Sequence, residues 1–105
     1  MKSIQIIKIG GNIIDNPDAL DKFLKNFSKV EGAKILVHGG GKLATEMSKQ
    51  LGIPVQMVHG RRVTDEATIK LVTGVYAGQI NKNIVADLQA LGCNALGLTG
   101  ADMNI

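Results

Sequence analysis

The sequence has no tryptophan, one tyrosine and two phenylalanines among its 105 residues. Proteins that hold single-stranded nucleic acid stack bases on aromatic rings, and this chain has almost none to offer. Its one cysteine, Cys93, cannot close an internal disulfide, which fits a reducing cytoplasm. No apolar run approaches the ~20 residues of a membrane span. The apolar stretch 4–9 is broken by Gln5 and Lys8 and is followed by no small-x-small cleavage site, so it does not read as a signal peptide. Neither sign of charge dominates. Twelve basic residues against nine acidic ones give +3, and only Arg61 and Arg62 are adjacent, so there is no basic stripe for nucleic acid, although a mild positive excess suits a small anion. His38, His59 and Cys93 show no metal-ligand spacing, and no transition-metal site is expected. What is present is aliphatic side chains and thirteen glycines. With 45% hydrophobic residues and no long polar tract, disorder is excluded. The length is that of one small domain, able to bury roughly two-thirds of its unfolded surface.

Strand and helix signals alternate along the chain. Residues 3–9 are rich in β-branched side chains and run into Gly10-Gly11, as a buried strand entering a glycine loop. Asp15-Asn16-Pro17 is a helix start, with a capping side chain and proline at the first helical position. Leu20, Phe23, Leu24, Phe27 and Val30 follow at helical spacing until Gly32. A second strand, 33–38, enters Gly39-Gly40-Gly41. A helix carrying Leu43, Ala44, Met47 and Leu51 then ends at Gly52. Residues 53–58 look like a short strand, 60–63 like a loop, and Thr64 like the cap of a long helix reaching Leu91. A further strand is predicted at 95–98 and a turn at 99–102. This order implies an α/β fold with a mainly parallel sheet and ligands at the carboxyl ends of its strands. Residues 103–105 return to apolar character as if opening another strand, which suggests a chain cut inside a larger domain. On that expectation an exposed strand edge and apolar surface lie near Ile105.

Three segments carry candidate chemistry. In Lys8-Ile9-Gly10-Gly11 a lysine at a strand end can reach an anion, and two glycines let backbone N–H groups approach it. The same residues also fit a lysine on an edge strand before a tight turn. In His38-Gly39-Gly40-Gly41 three glycines place N–H groups at a helix N-terminus, a good anion site or simply a tight turn. Leu36 and Leu43 exclude a Walker A loop, and Thr45 breaks the dinucleotide-binding fingerprint. In Gly60-Arg61-Arg62-Val63-Thr64-Asp65 a guanidinium fork can hold a carboxylate, or one arginine can pair with Asp65 or Glu66. The long helix shows two apolar stripes, Ala67-Leu71-Val75-Gly78 and Ile69-Val72-Tyr76-Ile80. A surface helix has one, so the second implies another subunit or later parts of the same chain.

These segments, with Ala77-Gly78-Gln79-Ile80-Asn81-Lys82 and Gly97-Leu98-Thr99-Gly100-Ala101-Asp102, resemble the acetylglutamate kinase family in order and spacing across the whole chain. The resemblance implies an α/β three-layer sandwich with a mainly parallel sheet, the amino acid kinase fold. Residues 1–105 would be its N-terminal, acylglutamate-binding and dimerising part, without the nucleotide-binding C-terminal part and inactive alone. It implies a cytoplasmic homodimer or larger homo-oligomer that phosphorylates the side-chain carboxylate of an N-acyl-L-glutamate with ATP and Mg2+, in arginine biosynthesis. Lys8 would stabilise charge on the transferring phosphoryl group, and Gly10 and Gly11 would contact phosphate. Gly40 and Gly41 would hold the acylglutamate, and Arg62 its α-carboxylate. A carboxylate is already ionised at neutral pH, so this chemistry wants positioned cations and N–H donors rather than a general base. Lys42-Leu43 and Arg61 depart from the family's usual residues and add positive charge, which suits an acyl group with a further carboxylate such as succinyl. Another amino acid kinase, or a non-catalytic amino-acid-binding fragment, remains an alternative. The former should lack the Gly-Arg-Arg-Val-Thr-Asp context, and the latter should bind without ATP turnover.

Overall fold

Two parallel strands set the frame: β1 (Gln5–Ile9) and β2 (Lys34–His38), paired from Gln5↔Lys34 to Ile9↔His38. The computed structural model describes residues 3–54 and 56–104. Alternation along each strand sorts the side chains onto two faces. Ile7, Ile9 and Leu36 face the helices, and Ile9 is fully buried. Ile6, Ile35 and Val37 lie on the other face and are exposed, Ile6 by 69%. The first strand is therefore half-buried, where the sequence predicted burial, because among the described residues helices cover only one side of the pair.

The helix α2 (Pro17–Ser28) connects the strands and forms where its signals stand. The Asn16 side chain accepts the Ala19 N–H at 3.1 Å, and Pro17 occupies the first turn. Leu24 and Phe27 are buried, with Leu20 and Phe23 packed beside them. Lys34 closes its far end. The ammonium donates to the carbonyls of Phe27 and Val30, each at 2.6 Å, and lies 4.8 Å from the Phe27 ring centroid. A one-turn helix, α1 (Gly11–Ile14), precedes α2 and was not signalled by the sequence.

After β2, α3 (Leu43–Gln50) buries Ala44 and Ser48. The strand expected at 53–58 is reduced to β3 (Met57–Val58), and Val55 of that stretch lies outside the described residues. The loop expected at 60–63 is β4 (Arg61–Arg62), antiparallel to β3 in a hairpin apart from the parallel pair. His59 (φ 50°) and Gly60 (φ 76°) form its turn, and two successive left-handed residues give the twist a tight hairpin requires.

The long helix is broken into three. Its cap is Asp65, not Thr64: the carboxylate accepts the Thr68 N–H at 2.8 Å. The segment α4 (Glu66–Val72) passes into a π-helical stretch, Thr73–Ile80, and then α5 (Asn81–Ala90). Val75 and Ile80, five residues apart, are both buried, followed by Ile84 and Leu88 at ordinary α spacing. In an α-helix residues five apart would point about 140° from each other, whereas the i→i+5 repeat of a π-helix brings them together. This corrects the two-stripe reading. Val72, Tyr76 and Ile80 of the second stripe pack into the chain's own core, and only Ile69 stays exposed, while Ala67 and Gly78 of the first stripe face out.

Residues 95–98 pair with no strand among the described residues, so the fourth predicted strand is absent. The turn at 99–102 forms, with the Asp102 carboxylate accepting the Thr99 N–H at 2.7 Å. Met103 and Asn104 hold positive φ in a 3₁₀ turn rather than opening a strand, and Ile105 lies outside the described residues. Apolar surface is nonetheless exposed just before it, at Leu96, Leu98 and Met103.

Candidate functional site

The two parallel strands deliver both glycine loops to the same end of the sheet. Their backbones then touch: a Cβ added to Gly11 would lie 3.3 Å from the Gly41 Cα. Gly10 and Gly11 start α1, and Gly39-Gly40-Gly41 leads through Lys42 into α3. Lys8 stands on β1 just before the first loop, beside Val37 of β2, and its side chain is exposed. The sequence placed this lysine inside a buried strand, where its charge would have demanded a partner. On the open face of a two-strand sheet the ammonium keeps its water and carries no such cost.

The second loop is enclosed by three side chains from three elements. Asp15, one turn beyond Gly11, accepts the Lys42 N–H at 2.9 Å, and its carboxylate occupies the space that a Cβ on Gly41 would fill. Gly41 also holds φ +57°, which favours glycine on its own. The Tyr76 ring lies where a Cβ on Gly40 would be, and Gly40 is buried beneath it. Asn81, 9% exposed, brings Nδ2 to 3.1 Å from the Nε2 of His38. The site roles of these three residues are not legible in the sequence, where Asp15 reads as part of a helix start, a function that belongs to Asn16 alone, Tyr76 as a stripe residue, and Asn81 only as part of a motif.

Arg62 reaches the neighbourhood from the β3–β4 hairpin. Its Nη2 donates to the Thr45 hydroxyl of α3 at 3.0 Å. Its Nη1 is buried and has no partner among the described residues. Hydrogen-bond donors out of water are nearly always paired, and a cationic one left idle is a poor arrangement unless an anion is to fill it. Arg61, its neighbour, is exposed. Five of the six residues singled out in the sequence, Lys8, Gly10, Gly11, Gly40 and Gly41, thus gather at the strand ends. Arg62 joins through the helix that the second loop starts.

A cleft of about 450 Å³ opens between α1, α2, α3, the end of the π-helical stretch and the start of α5. Asp15, Lys42, Glu46, Gln79 and Asn83 line it, together with apolar side chains. It holds none of the six. Among the described residues no three His, Cys, Asp or Glu side chains group as metal ligands, and no helix is long and apolar enough to cross a membrane.

The same arrangement of strands and loops recurs in known proteins. The acetylglutamate kinase of Cytophaga hutchinsonii is 67% identical over all 105 residues, and that of Parabacteroides distasonis 57%. The chain spans about 40% of the length of these relatives, 40% and 41% respectively. Among solved structures, smu.665 from Streptococcus mutans UA159 superposes with a TM-score of 0.70 at 28% identity, over 95% of this chain and 41% of that one. The α/β architecture built on the parallel pair is therefore shared beyond close sequence likeness. The model of the amino acid kinase family matches residues 3–105, which takes in both glycine loops, the arginine hairpin and the interrupted helix, and the chain belongs to that family.

Proposed function

We propose that the whole protein is an acylglutamate kinase, transferring the γ-phosphoryl group of ATP to the side-chain carboxylate of an N-acyl-L-glutamate, with acetylglutamate the first choice. The observation that carries this reading is the buried, idle Nη1 of Arg62 beside the helix that follows the triple glycine. A guanidinium with one nitrogen fixed and the other free presents half a fork to a carboxylate. The relatives' printed name, acetylglutamate kinase, suggests which carboxylate it meets.

The reaction follows from charge. A carboxylate oxygen attacks the γ-phosphorus, the bond to ADP breaks, and an acyl phosphate and ADP result, with no proton to move. Two anions must be held together, so catalysis consists of positioned positive charge and N–H groups. Lys8 meets the phosphoryl oxygens from the strand end, and Gly10 and Gly11 offer backbone N–H groups to phosphate. Gly40 and Gly41 hold the acylglutamate from the facing loop, while Arg62 grips its α-carboxylate. The close approach of Gly11 to Gly41 supports one shared site, because a Cβ on Gly11 would already press on the Gly41 backbone. Magnesium travels with the nucleotide's phosphates. The rest of the nucleotide site lies outside residues 1–105, in a C-terminal part of the whole protein.

Self-association is part of the same proposal. Its support is no longer the second helix stripe but the exposed apolar residues Leu51, Met57, Val58, Val63 and Ile69 around the end of α3, the hairpin and α4.

Steady-state kinetics of Arg62→Lys in the whole protein test the reading. The KM for acylglutamate should rise about tenfold or more, since an ammonium cannot replace the fork, while the nucleotide KM stays put. If both constants rise together, Arg62 is a structural residue. Running acetylglutamate and succinylglutamate side by side decides the acyl group.

A further inference from the structure

Asn81, Lys82, His38 and Gly39 form a chain of hydrogen bonds that runs in one direction only. Lys82 Nζ lies 3.1 Å from Asn81 Oδ1 and 2.9 Å from the Gly97 carbonyl. An ammonium only donates, so Asn81 turns its oxygen to Lys82 and its NH2 group the other way. That NH2 group stands 3.1 Å from His38 Nε2 and 3.4 Å from the Leu98 carbonyl. Nε2 must therefore accept, and the ring proton must sit on Nδ1. The other end of the ring agrees, because Nδ1 is 2.9 Å from the Gly39 carbonyl, which can only accept. Reversing the Asn81 amide would set NH2 against ammonium at one end and lose the Leu98 carbonyl at the other. Gly97 is fitted to the arrangement too, since a Cβ there would fall on Asn81 Oδ1.

The consequence reaches the site through one peptide bond. In a trans peptide the C=O of one residue and the N–H of the next point in opposite directions. Holding the Gly39 carbonyl against the imidazole therefore turns the Gly40 N–H away from it. We infer that His38 is a positioning residue, its ring proton held on Nδ1 by Asn81 and Lys82, and that it aims the Gly40 N–H at the anion bound by the triple-glycine loop. The π-helical stretch makes this possible. Tyr76 and Asn81 are five residues apart, and the i→i+5 repeat sets one on Gly40 and the other on His38, whereas a regular α-helix would turn one of them away.

The kinetic part of the test rests on the kinase reading, and the spectroscopic part does not. Nitrogen-15 NMR of the whole protein, with the His38 ring assigned by its loss in His38→Gln, reports the tautomer directly. A ring carrying its proton on Nδ1 is expected. A ring protonated on Nε2, or an imidazolium, overturns the inference whatever the protein catalyses. Asn81→Ala frees Nε2 and should move the ring toward the Nε2–H form, and an unmoved ring would also count against it.

For turnover, His38→Asn places an amide donor near the Nδ1 position, and His38→Gln places one near Nε2. The Asn variant should stay within about threefold of wild type, while the Gln variant should lose about tenfold or more in kcat, since a misplacement of about 1 Å can cost up to about a hundredfold. Glutamine fills the ring's volume better, so a role in packing alone predicts the reverse order. Equal loss in both folded variants overturns the inference. If both fail to fold, the tautomer of the wild-type ring and its response to Asn81→Ala decide alone.

Discussion

Replacing Gly40 with alanine isolates one contact between the interrupted helix and the glycine loop. Gly40 does not hold a left-handed backbone angle, unlike Gly41 at φ +57°, so alanine adds no backbone strain there. The cost is steric. The new methyl would fall on the Tyr76 ring, at Cδ1, Cε1 and Cζ, and either the ring or the loop must move. Forcing a methyl into a packed position costs about 1–3 kcal/mol. Tyr76→Ala removes the obstacle and itself costs about 2 kcal/mol, below the range for a fully buried aromatic because Tyr76 is only half-buried. In the double variant the methyl enters free space, and the stiffer unfolded chain even favours alanine over glycine by about 0.4–1 kcal/mol. The coupling between the two substitutions should therefore be about 2 kcal/mol, well above the scatter of independent sites. Urea unfolding of the four proteins in the cycle measures it. Gly40→Ala costing the same with and without the ring would refute the contact and the register of the π-helical stretch that creates it.

Removing the Lys8 ammonium in Lys8→Ala should cut turnover of the whole protein by about a hundredfold or more with little change in melting temperature, since the residue is exposed. Unchanged turnover would reject its role. The carboxyl of Asp65 is held below its usual value of 3.8, first by the Thr68 backbone N–H and then by the Thr68 side chain. Because the folded value is the lower one, the stabilisation is complete above pH 3.8 and fades as acid protonates the group below it. Thermal melts of Asp65→Asn should lose that part of the acid dependence, and identical pH profiles would contradict the cap. Sedimentation of the whole protein should show a dimer or a multiple of dimers, and a monomer at all concentrations would remove the proposed interface.

Much of the frame was legible because its signals are local. Asn16-Pro17 and the spacing of Leu20, Phe23, Leu24 and Phe27 define α2 without help from elsewhere, and so do the two β-branched strands ending in glycine. Five candidate site residues followed from those strand ends. What was missed depends on distant partners. The hairpin turns on His59, a non-glycine residue at positive φ outside the usual Asn-Gly signal. The π-helical stretch defeats an argument built on α spacing, since Val75 and Ile80 share a face only when the turn widens. Residues 95–98 look like a strand in composition, yet strand formation requires a neighbour, and none pairs with them among the described residues. Asp15 and Asn81 act on groups 27 and 43 residues away, the Lys42 N–H and the His38 ring, which no local pattern reveals. A faint signal existed in the glycines themselves: Gly40, Gly41 and Gly97 each leave room for a specific side chain from elsewhere.

Trapping the product with hydroxylamine tests the central claim most directly. The whole protein is incubated with ATP, Mg2+ and acetylglutamate or succinylglutamate, and acyl phosphate is scored as hydroxamate alongside ADP. The account predicts hydroxamate and ADP in equal amounts with one of the two acylglutamates, and loss of both signals in Lys8→Ala. ADP without hydroxamate, or hydroxamate from neither substrate, would contradict it.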